Sequence, residues 1–386
     1  MADIPKRTRA LDLLGRVVGR SVADTAVEEL ARLRVAVPRN RLVDAVTGAV
    51  DPSVTIADAT VPTRDGAARV RVYSPAANDD SASPAPPLVV MIHGGGWVLG
   101  TLESYDPLAA HLAAAVGAVV ASVEYRLAPE HPAPAAIHDC LDVVQALVDP
   151  RGESTDAGDS AVDGSGAPGA AGATGATGAQ RLLGTRVDAS RYALVGDSAG
   201  GNLVAVVTQL LRDAGLPAPA GQVLLYPSVD STCLRRSKIE FARGPIITRR
   251  DTDTFFAHYL GTGPDALSPE NPLISPLLGD RRDLPPALIQ TAGLDPLRDE
   301  GFAYARALRA VGVPVEHTDY ARSPHGFASW PGASAGAWAH RAELTDFLDR
   351  VLAVPSGSSV DGGVEPRAAA HDATLPRREG RTVDAG

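Results

Sequence analysis

The chain has 386 residues. At roughly 100–200 residues per domain, this length allows two or three domains, or one large domain with additions. Its 36 basic and 46 acidic side chains give a formal net charge of −10, so the chain lacks the basic excess that binding to nucleic acid requires. Hydrophobic residues make up 45% of the chain, beside 38 glycines and 31 prolines, which predicts a substantial core accompanied by flexible segments.

Neither the cysteines nor the N-terminal residues indicate a metal-binding, secreted or membrane-spanning protein. Cys140 and Cys233 lie far apart without a CxxC or Cys/His spacing, so we expect two buried free thiols and no metal site. Asp12, Arg16 and Arg20 interrupt the apolar stretch that follows the first basic residues, which disfavours a signal peptide. No window reaches about 18 uncharged apolar residues, so no spanning helix is expected. The sequence therefore predicts a soluble, cytoplasmic protein.

The first part of the chain predicts helices followed by a hairpin. Residues 8 to 50 carry apolar side chains at helical spacing, with a break at Pro38, and we interpret them as two helices of a lid or cap. Mixed acidic and basic residues disfavour a helix that lies on a membrane surface. Residues 53 to 73 alternate between polar and apolar and turn at Arg64-Asp65-Gly66, which predicts two antiparallel strands.

From residue 87 onward, strands alternate with helices. The strands are predicted at 87–92, 118–123, 192–195, 222–226, 287–291 and 313–320, and the helices at about 105–116, 135–148, 199–214, 299–311 and 336–352. Strands that are apolar on both faces are typical of a parallel sheet covered by helices, so the pattern predicts a doubly wound α/β domain. Residues 231–265 are too long for an ordinary connection, and we interpret them as an insertion over the carboxyl edge of the sheet.

Two segments are poor in large apolar residues. Residues 150–181 are nearly all Gly, Ala, Ser, Thr and Asp, and they predict a flexible linker, since five glycine triplets with one proline are too few for a collagen-like helix. Residues 355–386 predict a loose, disordered tail. We expect neither segment to carry the chemistry.

The pentapeptide Gly196-Asp197-Ser198-Ala199-Gly200 follows a predicted strand and precedes a predicted helix. It fits the pattern G-x-S-x-G, in which a sharp strand-to-helix turn exposes a nucleophilic serine and the flanking glycines leave room for the crowded backbone. The alternative is a serine that merely caps the helix. The motif therefore makes Ser198 a candidate nucleophile.

About 100 residues upstream, His93-Gly94-Gly95-Gly96-Trp97 ends another apolar run. It resembles the HGGG element of lipases and esterases, whose backbone N–H groups stabilise a developing oxyanion. Glycines suit that task because a side chain would block the approach to the N–H groups. A phosphate-binding loop is disfavoured, since no Lys-Ser/Thr pair and no G-x-G-x-x-G spacing follow.

A nucleophilic serine needs a general base and an orienting acid, which in this fold follow it in the order Ser, Asp, His. Asp295 follows the predicted strand 287–291, and His325 follows the strand that ends at residue 320. Both lie at carboxyl ends of strands, the same edge as Ser198. In this interpretation His325 takes the Ser198 proton and returns it to the leaving alcohol, while Asp295 orients the imidazole.

Other residues compete less well for these roles. Asp299 and Glu300 fall at a predicted helix N-terminus, where acidic residues are favoured without any catalytic role. The remaining histidines include His93, which we expect to anchor the glycine loop, and three that are poorly placed, namely His317 in a strand, His340 in a helix and His371 in the tail. The charged residues of the segment 125–132 are interpreted as a structural loop.

The motifs taken together resemble the hormone-sensitive-lipase family, the bacterial family IV carboxylesterases. They are HGGGW at 93–97, YRLAPEHPAPAA at 125–136, GDSAGGN at 196–202, YPSVD at 226–230, DPLRDEG at 295–301 and HGF at 325–327. The resemblance spans about residues 50 to 350. It implies an α/β-hydrolase fold, with a mostly parallel sheet flanked by helices and a helical cap formed from residues 1–50 and 231–265 around a core of 51–354.

The resemblance also implies site residues and an activity. The triad is Ser198, Asp295 and His325, and the oxyanion hole is formed by Gly95, Gly96 and Ala199. The expected function is hydrolysis of small esters of short to medium acyl chain length, without a metal or organic cofactor; a homodimer is a further expectation. An amidase or deacetylase with the same triad remains an alternative, as does a non-catalytic receptor, although receptors on this fold lack the histidine that His325 supplies.

Overall fold

The computed structural model describes residues 5–6, 9, 21–35, 38–76, 83–149, 177–334, 336–354 and 381–382. Its strands form one sheet in the order β1-β2-β4-β3-β5-β6-β7-β8-β9. β1 and β2 pair antiparallel, as do β2 and β4, and the other pairings are parallel. The strands are β1 (Thr55–Thr63), β2 (Gly66–Ser74), β3 (Pro87–Ile92), β4 (Val119–Val123), β5 (Asp188–Asp197), β6 (Gly221–Leu225), β7 (Ala287–Leu294), β8 (Val315–Pro324) and β9 (Arg381–Thr382).

Helices cover both faces of this sheet, and short turns of 3₁₀ helix occur elsewhere in the chain. The helices are α1 (Val27–Leu33), α2 (Arg41–Thr47), α3 (Leu102–Val116), α4 (Ala135–Val148), α5 (Gly178–Leu183), α6 (Ala199–Asp213), α7 (Arg236–Glu240), α8 (Arg249–Leu260), α9 (Arg298–Ala310) and α10 (Ala337–Leu352). Turns of 3₁₀ helix occupy Val22–Asp24, Pro276–Leu278 and Phe327–Ser329. The predicted doubly wound, mostly parallel α/β fold is thereby confirmed.

The central strands are apolar because both of their faces are buried. In β3, Leu88 and Val90 pack into the cluster that contains residues of α4 and α6, whereas Val89 and Met91 pack into the cluster that contains residues of α3 and α10. A strand between two helical layers has no face exposed to solvent, so most of its side chains are apolar. The predictions for β3, β4, β6 and β7 were correct for this reason.

The hairpin lies where the sequence predicts it. β1 and β2 pair in register from Thr55 opposite Ser74 to Thr63 opposite Gly66. The turn is held to the core, because the Arg64 guanidinium donates to Asp142 of α4 at 2.6 Å. β1 therefore closes one edge of the sheet without taking part in the site at its centre.

The insertion after β6 packs against the N-terminal part of the chain. Its longer helix, α8, lies beside the 3₁₀ turn Val22–Asp24. Ser21 donates a hydrogen bond to Asp251 of α8, and Arg250 forms an ion pair with Asp24 at 2.5 Å. Two segments more than 200 residues apart in sequence thus meet on one side of the molecule.

Several expectations about the ends and connections need correction. Pro38 is followed by another helix, α2, whose Asn40 side chain accepts N–H groups of the first turn. Of the segment 8–50 that predicts two helices, residues 10–20 lie outside the described residues. Where the structure describes the chain, no helix is both long and apolar enough to cross a bilayer.

The predicted linker and tail are also corrected where they are described. Residues 150–176 lie outside the described residues, but α5 begins at Gly178, inside the predicted linker, because Thr177 and Gln180 form a capping box and Leu183 enters the core. In the tail, Arg381–Thr382 pairs with β8 as the short strand β9, and the rest of residues 355–386 lies outside the described part.

The two cysteines are free, as expected, but they differ in burial. Cys140 lies in α4 within the core, whereas Cys233 is exposed in the loop after β6. The prediction that both thiols are buried is therefore wrong for Cys233, because a residue in a connecting loop need not share the burial of the strand that precedes it.

Candidate active site

Ser198 forms the sharp turn between β5, which ends at Asp197, and α6, which begins at Ala199. Its backbone has φ +54° and ψ −117°, a conformation that non-glycine residues rarely adopt and that costs about 1–3 kcal/mol. The Ser198 N–H donates to the Leu225 carbonyl of β6 at 2.8 Å. The turn is therefore fixed to the neighbouring strand, and the serine side chain belongs to neither β5 nor α6.

The flanking glycines make this turn possible, as the motif predicts. A Cβ on Gly196 would lie 2.4 Å from the Gly200 carbonyl oxygen, and a Cβ on Gly200 would lie 2.0 Å from the Ile92 carbonyl oxygen. Both distances are far shorter than van der Waals contact. Any side chain at either position would separate β5, α6 and β3 at the point where Ser198 is held.

Asp295 and His325 leave adjacent strands at the same level. β7 and β8 are parallel neighbours, and Leu294 at the end of β7 pairs with Pro324 at the end of β8. The register shifts just before this pair, at Gly293, where a Cβ would lie 2.2 Å from the Ala321 carbonyl oxygen. The next residue of each strand is the predicted acid or the predicted base.

The three predicted triad side chains meet in one chain of hydrogen bonds. His325 Nε2 lies 2.9 Å from Ser198 Oγ, and His325 Nδ1 lies 2.7 Å from Asp295 Oδ2. The other Asp295 oxygen accepts the Leu297 N–H at 2.8 Å. Asp295 is fully buried, while Ser198 and His325 are 8% and 7% exposed. This geometry permits proton transfer from the serine to the imidazole.

Opposing effects determine the pKa of His325. Burial lowers the pKa of the imidazole, but the charge and the hydrogen bond of Asp295, with the more distant Asp197 carboxylate, raise it, and the net pKa lies above the usual 6.5. The anion thus stabilises the imidazolium that forms when the imidazole accepts a proton. Asp295 both orients the ring and favours its charged form.

Backbone N–H groups of the glycine loop and of the residue after Ser198 have no acceptor within the described part of the chain. Gly95 and Gly96 have positive φ values of 119° and 62°, which glycine adopts without strain. Among the described residues, the structure assigns no hydrogen bond to the N–H of Gly95, Gly96 or Ala199. All three residues line the same cavity as Ser198 and His325. Free N–H groups at this place could stabilise a negatively charged oxygen.

Gly94, the residue before these glycines, is held differently. Its N–H donates to Asp197 Oδ1 at 2.7 Å and lies 3.0 Å from the Tyr105 hydroxyl. The His93 ring bonds the Gly94 carbonyl at 2.8 Å and stacks on Tyr125, with ring centroids 4.4 Å apart. Burial lowers the pKa of His93 to about 4, so the ring is neutral and anchors the loop, as expected.

A cavity of about 1420 Å³ opens above these groups. Its walls come from the glycine loop, from the insertion after β6 and from the N-terminal 3₁₀ turn, and its apolar lining includes Val22, Phe255, Phe256, Leu297 and Trp330. Phe255 in α8 lies against the glycine loop, because a Cβ on Gly96 would lie 2.3 Å from its ring. The insertion therefore contacts the loop that carries the free N–H groups.

The competing acids lie in the first turn of α9 and have other partners. Asp299 accepts the Ser237 N–H at 2.9 Å. Glu300 is fully buried, accepts the N–H groups of Val229 and Asp230 at 2.8 and 2.9 Å and pairs with Lys238 at 2.9 Å. Its role is thus to join the loop after β6 to α9, which the sequence did not reveal, since the partners come from distant segments.

The competing histidines lie away from Ser198. His340 in α10 bonds Gln290 at 2.8 Å, and His317 in β8 packs edge-on against Phe302 with ring centroids 4.6 Å apart. His371 lies outside the described residues. None of the described alternatives replaces His325.

The segment 125–132 is a structural loop, as predicted. Arg126 forms a two-pronged ion pair with Asp139 of α4, with the closest contact at 2.8 Å. Glu130 pairs with Arg34 at 2.7 Å, which ties the N-terminal region to this loop. These charges are satisfied within the protein and do not line the cavity.

One residue beside the triad was missed by the sequence analysis. The Tyr226 ring lies edge-on to the His325 ring, with centroids 4.9 Å apart, and its backbone has a φ of 35°. In the sequence it stands at the end of a predicted strand and opens the segment YPSVD, which carries the family resemblance but was given no role in the site. Packing of this kind restricts the orientation of the imidazole.

Comparisons with known proteins agree with this geometry. A family model described as an alpha/beta hydrolase fold matches residues 89–329. This part of the chain contains the glycine loop, the serine turn and the strands β7 and β8 that lead to Asp295 and His325. The chain belongs to the hormone-sensitive-lipase-like family of α/β hydrolases.

Named relatives in this hydrolase family are ester hydrolases. Carboxylic ester hydrolase LipN of Mycobacterium tuberculosis is 40% identical over 300 residues, covering 76% of this chain and 70% of the relative. Ethyl acetate hydrolase of Pseudomonas putida is 35% identical over 274 residues, covering 70% and 75%. The solved ester hydrolase EH1AB1 from the Lake Arreo metagenome, in complex with a bipyridine phosphonate derivative, is 32% identical with a TM-score of 0.72, covering 90% of this chain and 98% of that one.

The electrostatics of the site predict how His325 titrates. We expect its pKa to lie above 6.5, and Asp295→Asn to lower it below 6.5, because burial then acts without the adjacent anion. NMR titration of the protein with ¹⁵N-labelled histidine measures both values. Asp299→Asn serves as the matched control, since Asp299 bonds Ser237 and not the imidazole. A His325 pKa that does not change in Asp295→Asn would contradict this assignment.

Proposed function

We propose that the chain is a serine carboxylesterase in which Ser198 attacks the carbonyl carbon of a carboxylic ester. The supporting observation is the continuous hydrogen-bond chain from Ser198 Oγ through His325 to the buried Asp295. As the Ser198 Oγ–C bond forms, His325 Nε2 accepts the hydroxyl proton. Asp295 holds the imidazole in the tautomer that leaves Nε2 free, and it stabilises the imidazolium.

The tetrahedral intermediate carries its charge on the former carbonyl oxygen. In our proposal the N–H groups of Gly95, Gly96 and Ala199 donate to that oxygen, which is supported by their position in the cavity and by their lack of another acceptor within the described chain. Donors fixed before the reaction act on the transition state without reorganisation. The loop thus lowers the barrier to attack.

Collapse of the intermediate breaks the ester bond and leaves an acyl group on Ser198. The imidazolium of His325 donates its proton to the leaving alcohol, and a water molecule then takes the alcohol's place. His325 removes a proton from that water, the hydroxyl attacks the acyl carbon, and the carboxylic acid leaves as Ser198 regains its proton. Each step balances with side chains and water alone.

The cavity supports short to medium acyl chains as substrates. Its apolar walls, which include Phe255 and Phe256, suit an uncharged acyl group. A relative is named ethyl acetate hydrolase, which extends the proposal to small esters. We propose that the N-terminal region and the insertion of residues 231–265 together act as the cap, since Val22 and α8 line this cavity from above.

The esterase proposal predicts turnover of p-nitrophenyl esters, tested with the acetate, butyrate, octanoate and palmitate. We expect the wild type to hydrolyse the shorter esters, and Ser198→Ala to reduce kcat/KM by about 10³-fold or more, because the nucleophile is lost. Ser231→Ala is the matched control, since Ser231 bonds Ser275 outside the cavity.

The opposite result has a definite meaning. If the folded wild type and Ser198→Ala are equally inactive on every ester, the carboxylesterase proposal fails. Turnover of anilides by the wild type would then indicate an amidase, and saturable ligand binding without turnover would indicate a receptor.

The cavity lining predicts a change in the acyl-chain profile. Phe255→Ala removes the ring that lies against Gly96, and we expect the ratio of kcat/KM for octanoate to that for acetate to rise about tenfold. Phe241→Ala is the control, because Phe241 belongs to the same insertion but packs under Arg298. An equal change in both variants would show that the insertion merely loosens, and no change in Phe255→Ala would contradict the role of this ring.

A further inference from the structure

The residue before the nucleophile also contacts the glycine loop. Asp197 ends β5, directly before Ser198, and its Oδ1 accepts the Gly94 N–H at 2.7 Å. Gly94 in turn precedes Gly95 and Gly96, which carry the free N–H groups. One carboxylate therefore joins the segment that presents the serine to the segment that would stabilise the oxyanion.

A second contact fixes the orientation of this carboxylate. The Tyr105 hydroxyl donates to Asp197 Oδ2 at 3.1 Å, and the Gly94 N–H also lies 3.0 Å from that hydroxyl oxygen. The approach is close, since a Cβ on Gly94 would lie 2.5 Å from Asp197 Oδ2. Gly94 must be a glycine for the loop and the carboxylate to meet.

Asp197 is 6% exposed, and burial raises its pKa to about 6 while the Gly94 and Tyr105 hydrogen bonds lower it. A buried carboxylate with few donors is costly to maintain. Packing alone does not account for this unfavourable burial, since an apolar side chain would fill the same space without the cost of burying a carboxylate. Other hydrogen bonds of the loop, such as those from the Leu99 N–H to Gly95 O and from the Tyr125 hydroxyl to His93 O, do not involve the serine turn.

We propose that Asp197 is a positioning residue that sets the distance between the free N–H groups of the glycine loop and Ser198. It does not touch the substrate. It acts on the transition state, because an oxyanion forms only when Ser198 has attacked. An N–H donor displaced from that oxygen stabilises the charge much less. This inference rests on the proposed esterase function and adds a residue to it.

The test compares Asp197→Ala with Asp197→Asn in the full chain. We expect Asp197→Ala to lower kcat on p-nitrophenyl butyrate about 10- to 100-fold with KM changed less than about threefold. Asp197→Asn should recover kcat to within about threefold of the wild type, because its amide oxygen accepts the Gly94 N–H and its amide N–H₂ donates to the Tyr105 oxygen.

A second readout isolates the oxyanion. An alkyl trifluoromethyl ketone forms a hemiketal with the active serine, and its oxygen carries the charge of the intermediate. We expect its inhibition constant to rise in Asp197→Ala by about the same factor by which kcat/KM falls. The inhibition constant of the corresponding methyl ketone should stay within about threefold of the wild-type value. If Asp197 had a merely structural role, the substitution would change the fraction of active enzyme, which burst titration measures. The inhibition constants of both ketones, expressed per active site, would then stay unchanged.

The outcomes separate this inference from the esterase proposal. If the wild type hydrolyses no ester, both fail, whereas an active wild type with unchanged kcat in Asp197→Ala overturns the present inference alone. An Asp197→Asn variant as impaired as Asp197→Ala also overturns it, because the hydrogen bond would then not be the property that matters. If Asp197→Ala does not fold, Tyr105→Phe replaces it; we expect a three- to tenfold loss of kcat there, and wild-type kcat would overturn the inference.

Discussion

The active site depends on the backbone of one residue, the serine held at positive φ between a buried strand and a buried helix. Ser198 adopts this conformation because Gly196 and Gly200 have no Cβ where backbone oxygens lie 2.0–2.4 Å away, and because its N–H is bonded to β6. The strain of about 1–3 kcal/mol is offset by the packing of the surrounding α/β core. The same turn carries Asp197 directly before the nucleophile and Ala199 directly after it.

The parallel strands of the sheet then place the other two triad side chains beside Ser198. β7 and β8 end in register, so Asp295 and His325 need no long loops to reach each other and Ser198. Anionic groups around the imidazole offset the unfavourable effect of burial on its charged form. The ion pair of Arg250 with Asp24 joins the insertion after β6 to the N-terminal 3₁₀ turn. Both segments contribute apolar side chains to the cavity above these groups.

Much of the core was predictable because its signals are local. Strands such as β3 are apolar on both faces, and a serine between glycines after a strand indicates a turn before any partner is known. The order Ser, Asp, His that goes with such a serine turn, together with the ends of two predicted strands, led to Asp295 and His325. The remaining features depend on contacts between distant segments: Glu300 was assigned to a helix end, but it bonds Val229, Asp230 and Lys238. The exposure of Cys233 and the hydrogen bond from Gly94 to Asp197 also depend on the tertiary structure, which the periodicity of the sequence does not predict.

The central claim is that Ser198 is the nucleophile, and covalent labelling tests it most directly. The protein is treated with an alkyl fluorophosphonate, digested, and the modified peptide is identified by mass spectrometry while ester hydrolysis is followed in parallel. The account predicts one adduct per chain on Ser198, with activity lost in proportion to labelling. Full hydrolysis after complete modification of Ser198, or loss of activity with the adduct on another serine, would contradict it.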